Sequence, residues 1–150
     1  LSAGSRLECL VAGTNDLALE TGARSRSAML PWLSQIVLAA RAGKLAAIDG
    51  VFNNFSDAQG FADECASARD MGFDGKSLIH PSQITEANRI FMPSPEEVAQ
   101  AQKIADAFAL PQNAARGVIA VEGRMVERLH LELANQTLAK YAHAKSTAES

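Results

Sequence analysis

Asp16, Asp49 and the pair Lys76 and His80 are the side chains best placed for chemistry, because each stands where a short apolar run ends in polar residues. Asp16 closes Gly13-Thr14-Asn15-Asp16, a glycine turn with a carboxylate behind it. A carboxylate so placed can hold a divalent cation through one or two oxygens and leave coordination positions for a chelating substrate. The exposed amides of the same turn can receive an anionic group. Asp16 also suits a helix N-cap or an Asx-turn. Asp49 lies inside Ala46-Ala47-Ile48-Asp49-Gly50-Val51, where an ionised carboxylate costs desolvation energy unless it is paired or bound to a cation. It is a candidate substrate contact, with a structural bond to Lys76 or to a loop amide as the competing reading. His80, before Pro81, reads as a cap or carbonyl partner, and His130 and His143 fall on helix surfaces toward solvent.

The elements that must position these groups follow from apolar runs and punctuation. Arg6 to Gly13, Leu45 to Phe52 and Gly75 to His80 read as three buried strands, each feeding a polar segment. Thr14 to Arg26 is polar and glycine-bearing, which predicts a loop. A helix is expected from Leu30-Pro31 to Gly43 with Trp32, Leu33, Ile36, Val37 and Ala40 on one face. Another runs from an Asp57 cap to Met71, burying Phe61, Cys65 and Ala68, and a short one covers Ser82 to Phe91. The strand centres lie roughly 30 to 37 residues apart, the spacing of βα units in a (β/α)8 barrel, which places about 31 residues in each. A doubly wound sheet has similar spacing, yet no glycine-rich phosphate loop follows any strand.

The pattern changes after Met92. Ser94-Pro95-Glu96-Glu97 is a helix start, with Ser94 as cap and two acids in the positive first turn, and that helix reaches about Leu110. Gly117 to Val121, Glu122-Gly123 and Arg124 to Val126 read as a hairpin, and a last helix covers about Leu129 to His143. The expected fold class is α/β: residues 1–93 forming the last three βα units of a TIM (β/α)8 barrel, and residues 94–150 a helix–hairpin–helix extension.

Composition narrows the function classes. The 150 residues carry a formal charge of −3, 47% hydrophobic and 5% aromatic residues, and 28 alanines. No basic patch for nucleic acid or an anionic membrane is evident, and no apolar stretch approaches the roughly 20 residues that span a bilayer. Cys9 and Cys65 have no Cys or His at zinc-ligand spacing and read as reduced thiols behaving as small hydrophobes. No basic and apolar secretory leader opens the chain, and Leu1 to Arg6 reads as the tail of a preceding helix, with the natural start upstream. Cytoplasmic residence is expected, in a bacterial cytosol or a mitochondrial matrix.

Three stretches then occur in order: Gly13-Thr14-Asn15-Asp16-Leu17; Ala39-Ala40-Arg41-Ala42 leading into Ala47-Ile48-Asp49-Gly50-Val51; and Gly72-Phe73-Asp74-Gly75-Lys76-Ser77-Leu78-Ile79-His80-Pro81-Ser82-Gln83-Ile84. Together with Phe91-Met92-Pro93-Ser94-Pro95-Glu96-Glu97 and Gly117 to Val126, they closely resemble the C-terminal half of the citrate lyase β-subunit-like family, within the HpcH/HpaI aldolase superfamily.

The resemblance implies a Mg²⁺-dependent lyase, with Mn²⁺ as the alternative ion, that cleaves a citryl-, malyl- or citramalyl-CoA to acetyl-CoA and a keto acid. It makes Asp16 a metal ligand, and Thr14 and Asn15 the amides that hold the keto-acid carboxylate. A second ligand, Glu, and an Arg that polarises the substrate belong to earlier strands outside this sequence. It also implies a homo-oligomer such as a trimer, in which the C-terminal segment of one subunit covers a neighbour's barrel mouth and supplies an acid. The family's Asp at that position is Glu127 here, one methylene longer, and the proline that commonly follows is replaced in the stretch Leu129-His130. The alternatives are a malyl-CoA thioesterase or class II aldolase on the same scaffold, or a non-catalytic homologue that binds CoA esters.

Overall fold

The structure, a computed structural model, describes residues 6–148. They form two compact units, one running to Phe91 and the other beginning at Met92. The helix tail expected over Leu1 to Arg6 lies outside the described residues except at Arg6, which is not helical.

The first unit holds strands β1 (Cys9–Val11), β2 (Ala46–Asp49) and β3 (Gly75–Lys76), all parallel, in the order β1-β2-β3. Val11 stands opposite Ile48, and Asp49 opposite Lys76. Helices α1 (Thr14–Thr21) and α2 (Arg26–Ala42) link β1 to β2, α3 (Ala58–Asp70) links β2 to β3, and a 3₁₀ turn at Pro81–Gln83 leads into α4 (Ile84–Phe91). The core packs Met29, Leu33, Val37 and Ala40 of α2 with Ala47 of β2 and Phe61, Cys65 and Ala68 of α3. These are heptad-like spacings on both helices, which is why the apolar stripes were visible before any fold was known.

Three expectations are corrected here. Thr14 to Thr21 is helix rather than loop: Gly13 caps it, Asp16 sits in its positive first turn, and Gly22 ends it in the left-handed conformation at φ 72°. Helix α2 begins at Arg26 rather than Leu30, because the Ser25 hydroxyl accepts the Ala28 amide at 3.3 Å and starts the helix a turn earlier, leaving Pro31 inside it. The third strand also pairs only over Gly75–Lys76. The Ser77 amide makes one more bond to the Asp49 carbonyl at 2.9 Å, and the chain then turns into the His80-capped 3₁₀ segment.

The second unit contains α5 (Pro95–Ala109), the antiparallel hairpin β4 (Val118–Val121) and β5 (Arg124–Glu127), and α6 (Arg128–Ala148). Helix α5 opens on a capping box: Ser94 Oγ accepts the Glu97 amide at 3.2 Å while Glu97 accepts the Ser94 amide at 2.7 Å. The hairpin turns through Glu122 and Gly123, both at positive φ (48° and 77°), the geometry of a two-residue turn that follows the strand twist. Phe108, Ile119, Val121 and Val126 form its small core.

Candidate functional site

Parallel strands bring their C-terminal ends to one side of the sheet, so Asp16, Asp49 and Lys76 share that side in the first unit. Asp16 occupies the third position of α1 with its carboxylate exposed, folded back over Gly13. The first turn of α1 and the loop after β2 are tied together there by Asn15 and Asn53, whose side-chain amides exchange hydrogen bonds of 2.8 and 3.4 Å. The Thr14 amide is engaged by the Ala12 carbonyl at 3.0 Å, so its contribution to the site is its hydroxyl. That hydroxyl is buried without a partner among the described residues. Gly50 is what lets Thr14 come so near: a Cβ at position 50 would lie 2.8 Å from the Ala12 carbonyl oxygen and inside contact distance of the Thr14 side chain.

Asp49 is fully buried, and both its oxygens are taken. Arg26 donates to them in a bidentate pair at 3.1 and 2.9 Å, and Lys76 Nζ donates at 2.7 Å. Lys76, itself buried, also reaches Glu64 at 2.6 Å, and Arg26 lies 3.5 Å from the same carboxylate. Two cations and two anions thus close on one another, so the cluster carries no net charge to attract a substrate. Asp49 acts through Arg26 and Lys76 in this geometry, holding the segment between α1 and α2 against the end of β2. Arg26 keeps one buried nitrogen, Nε, without a partner among the described residues. It and Thr14 line a cavity of about 240 Å³ with Asn15, Met29, Phe52 and Asn53.

Arg26 and Glu64 have no place among the sequence candidates. Glu64 had a signal: it falls three residues after Phe61 and one before Cys65, a charge on the buried stripe of α3. Arg26 sits in a polar Ser-Arg-Ser stretch and had none. Gln83 is a third omission; almost fully buried, it accepts the Ile79 amide at 3.1 Å and donates to the Phe52 carbonyl at 3.0 Å. His80 caps the 3₁₀ turn through Nδ1 and stacks on Phe55 at 4.8 Å. Asp74, of the Gly-Phe-Asp-Gly-Lys stretch, is paired bidentately with Arg41 at 2.9 and 3.0 Å and accepts the Ala47 amide.

In the second unit Glu127 ends β5, half-buried, and its side chain makes no hydrogen bond or ion pair among the described residues. His130 corrects the expectation of a solvated surface histidine. It is half-buried, and its Nδ1 accepts the Glu127 amide at 2.9 Å.

No group of three or more His, Cys, Asp or Glu side chains gathers among the described residues. Mg²⁺ keeps several waters and is commonly held by only one or two carboxylates, so exposed Asp16 fits as one ligand of such an ion.

A family model described as HpcH/HpaI aldolase/citrate lyase matches residues 2–81. The chain belongs to the HpcH/HpaI aldolase/citrate lyase family. Among curated relatives of the HpcH/HpaI family, a (3S)-malyl-CoA thioesterase of Cereibacter sphaeroides is 48% identical over 143 residues, 93% of this chain and 50% of that protein. The citrate lyase subunit beta of Leuconostoc mesenteroides is 39% identical over 77% of this chain and 38% of its own length. The human mitochondrial citramalyl-CoA lyase is 34% identical over 90% and 41%. The chain therefore spans half or less of the length of these curated relatives. The crystal structure of CitE from Mycobacterium tuberculosis in complex with magnesium, acetoacetate and coenzyme A is similar at a TM-score of 0.71 and 31% identity, over 88% of this chain and 51% of that one.

Proposed function

We propose that this chain supplies part of the site of an enzyme that cleaves a 3-hydroxyacyl-CoA of the malyl-CoA type at the carbon–carbon bond, giving acetyl-CoA and a keto acid. The observation that carries this reading is Asp16, an exposed carboxylate on the first turn of α1 at the C-terminal end of a parallel strand, in a family whose relatives act on CoA esters. In this reading residues 1–93 are the last three βα units of a barrel and residues 94–150 its cover, and Asp16 completes its cation site with a carboxylate from outside this sequence. A bound Mg²⁺, or Mn²⁺, supplies Lewis-acid stabilisation of the substrate's hydroxyl oxygen. The likeness to a CitE holding magnesium and coenzyme A supports that choice of ion and ester.

The remaining steps fall to this chain's own residues. The positive end of α1, at Asn15 and Asp16, orients the carboxylate of the departing keto acid. The Asn15–Asn53 clasp and the Arg26–Asp49 pair keep these segments from spreading as the bond breaks. The CoA-side carbanion needs a proton, and Glu127 is the donor, presented to a neighbouring subunit in a closed homo-oligomer such as a trimer. The protein works in the cytosol or a mitochondrial matrix, where acyl-CoA is present.

Thioester hydrolysis is the second reading, favoured by the 48% identity to (3S)-malyl-CoA thioesterases. One assay separates them: the intact protein with Mg²⁺ and malyl-CoA, following keto acid with a carbonyl reagent and free CoA with a thiol reagent. Keto acid without thiol supports carbon–carbon cleavage; thiol without keto acid establishes hydrolysis; neither product across citryl-, malyl- and citramalyl-CoA overturns both in favour of a binding protein.

A further inference from the structure

We infer that His130 is the residue that positions Glu127, and that it does so only with its imidazole uncharged. The inference rests on the reading of Glu127 as the proton donor and adds the device that aims it. Glu127 is the junction between β5 and α6, the point where an extended chain must bend into a helix. Nothing in its own side chain fixes it there. Its backbone is fixed on both sides instead. His130 Nδ1 accepts the Glu127 amide at 2.9 Å, the bond that a Glu or Gln three positions into a helix makes back to the cap residue's amide in a capping box. On the other flank the Arg128 amide donates to the Gly117 carbonyl at 3.1 Å, and the Arg128 guanidinium donates to the carbonyls of Arg116 (3.1 Å) and Ala114 while lying 5.6 Å over the Phe108 ring. The result is a held backbone whose side-chain carboxyl has no partner among the described residues, so that when protonated it is free to deliver its proton.

The chemistry of the bond sets its condition. A backbone N–H can only donate, so Nδ1 must accept, and the proton of a neutral ring sits on Nε2. An imidazolium has no lone pair on either nitrogen, so protonation removes the bond and leaves the Glu127 amide and the ring as two opposed donors. The ring lies in the groove between α6 and α5, where Glu97 of α5 is the charged side chain lining the same groove and Glu127 of β5 is the one beside it. The bond therefore exists only while Nδ1 keeps its lone pair. A displacement of about 1 Å at a catalytic group can cost about 100-fold, so the loss is read in turnover.

The test uses the intact, assembled enzyme and four proteins: wild type, Glu127→Gln, His130→Ala and His130→Asn. The Asn side chain keeps an oxygen acceptor at a helix start without titrating near neutrality. Expected are a fall of about 10- to 100-fold in kcat for His130→Ala with KM within about twofold, partial recovery in His130→Asn, and loss in His130→Asn of a wild-type acid limb in kcat. The protection factor of the Glu127 amide, its exchange rate taken relative to that of the unfolded chain at the same pH, should fall in wild type at acid pH and hold in His130→Asn. If Glu127→Gln keeps full kcat, the proton-donor reading fails and this inference with it. If Glu127→Gln loses kcat while folded His130→Ala does not, the donor reading stands and the positioning role is overturned. An acid limb unchanged in His130→Asn also overturns it.

Discussion

Asp49 and Lys76 face each other across adjacent parallel strands, in register, with Nζ 2.7 Å from Oδ2 and both side chains completely buried. Neither could be there alone. An isolated charge at either place would cost several kcal/mol of desolvation, and the Arg26 and Glu64 partners bring the total back to neutrality. Removing one member should therefore cost more than the pair contributes. Lys76→Met is expected to lower unfolding stability by about 3–5 kcal/mol, because it leaves two carboxylates sharing Arg26. Denaturant unfolding of single and double variants checks this: Lys76→Met combined with Asp49→Leu should recover part of the loss.

Gly50→Ala is a test of close packing rather than of charge. The added methyl group meets the Ala12 carbonyl oxygen at 2.8 Å and the Thr14 side chain closer still. A cost of about 1–3 kcal/mol is expected. Thr14→Ala should rescue only part of it, since the Ala12 carbonyl is backbone and cannot retreat. Full rescue, read from thermal unfolding, would show that Thr14 alone demands the glycine.

How far the sequence could be read depends on how local each signal was. Stripes such as Phe61, Cys65 and Ala68, and the Ser94 capping box, belong to one element and needed nothing else. Helix α1 reads as loop in the sequence because its composition is polar and Gly13 and Gly22 bracket it, although Asp16 and the left-handed Gly22 are good start and stop marks. Asp49 posed the right question, a charge inside an apolar strand. Lys76, the partner the sequence offers, is in place at 2.7 Å, while the Arg26 that completes the pairing and the Glu64 that balances the charge lie 23 and 15 positions from Asp49 on other elements, where no periodicity points. The Glu127 amide's partner was invisible for a different reason: a histidine on a helix looks the same in sequence whether it caps the backbone or faces water.

Cys65 offers a pH prediction. Burial among Phe61, Ala68 and their neighbours pushes its thiol up to about 11, from an ordinary 9.0. The folded state then holds a proton that the unfolded state releases, so stability is complete below pH 9 and declines as pH rises from 9 to 11. At pH 8 a thiol reagent should modify half-exposed Cys9 and leave Cys65 untouched until denaturant is added. Rapid labelling of both thiols in the native protein would contradict the buried assignment.

Asp16→Ala addresses the cation directly. Its carboxylate is exposed and takes no part in the core, so unfolding stability should stay within about 0.5 kcal/mol of the parent. Mn²⁺ binding, followed by paramagnetic relaxation of water, should weaken at least about tenfold in the intact enzyme, and metal-dependent turnover should vanish. Retained binding and turnover would remove Asp16 from the metal site.

The sheet order β1-β2-β3 leaves β1 and β3 each with one side that no described strand pairs. Those rows of amides and carbonyls are adhesive, and Val11 stands well exposed on β1. A cell making residues 1–91 without further strands would be making a nucleus for aggregation. Any strand that paired along either edge would cover those groups, so solubility of this segment is expected to rise when such a strand is supplied and to fall when it is withheld.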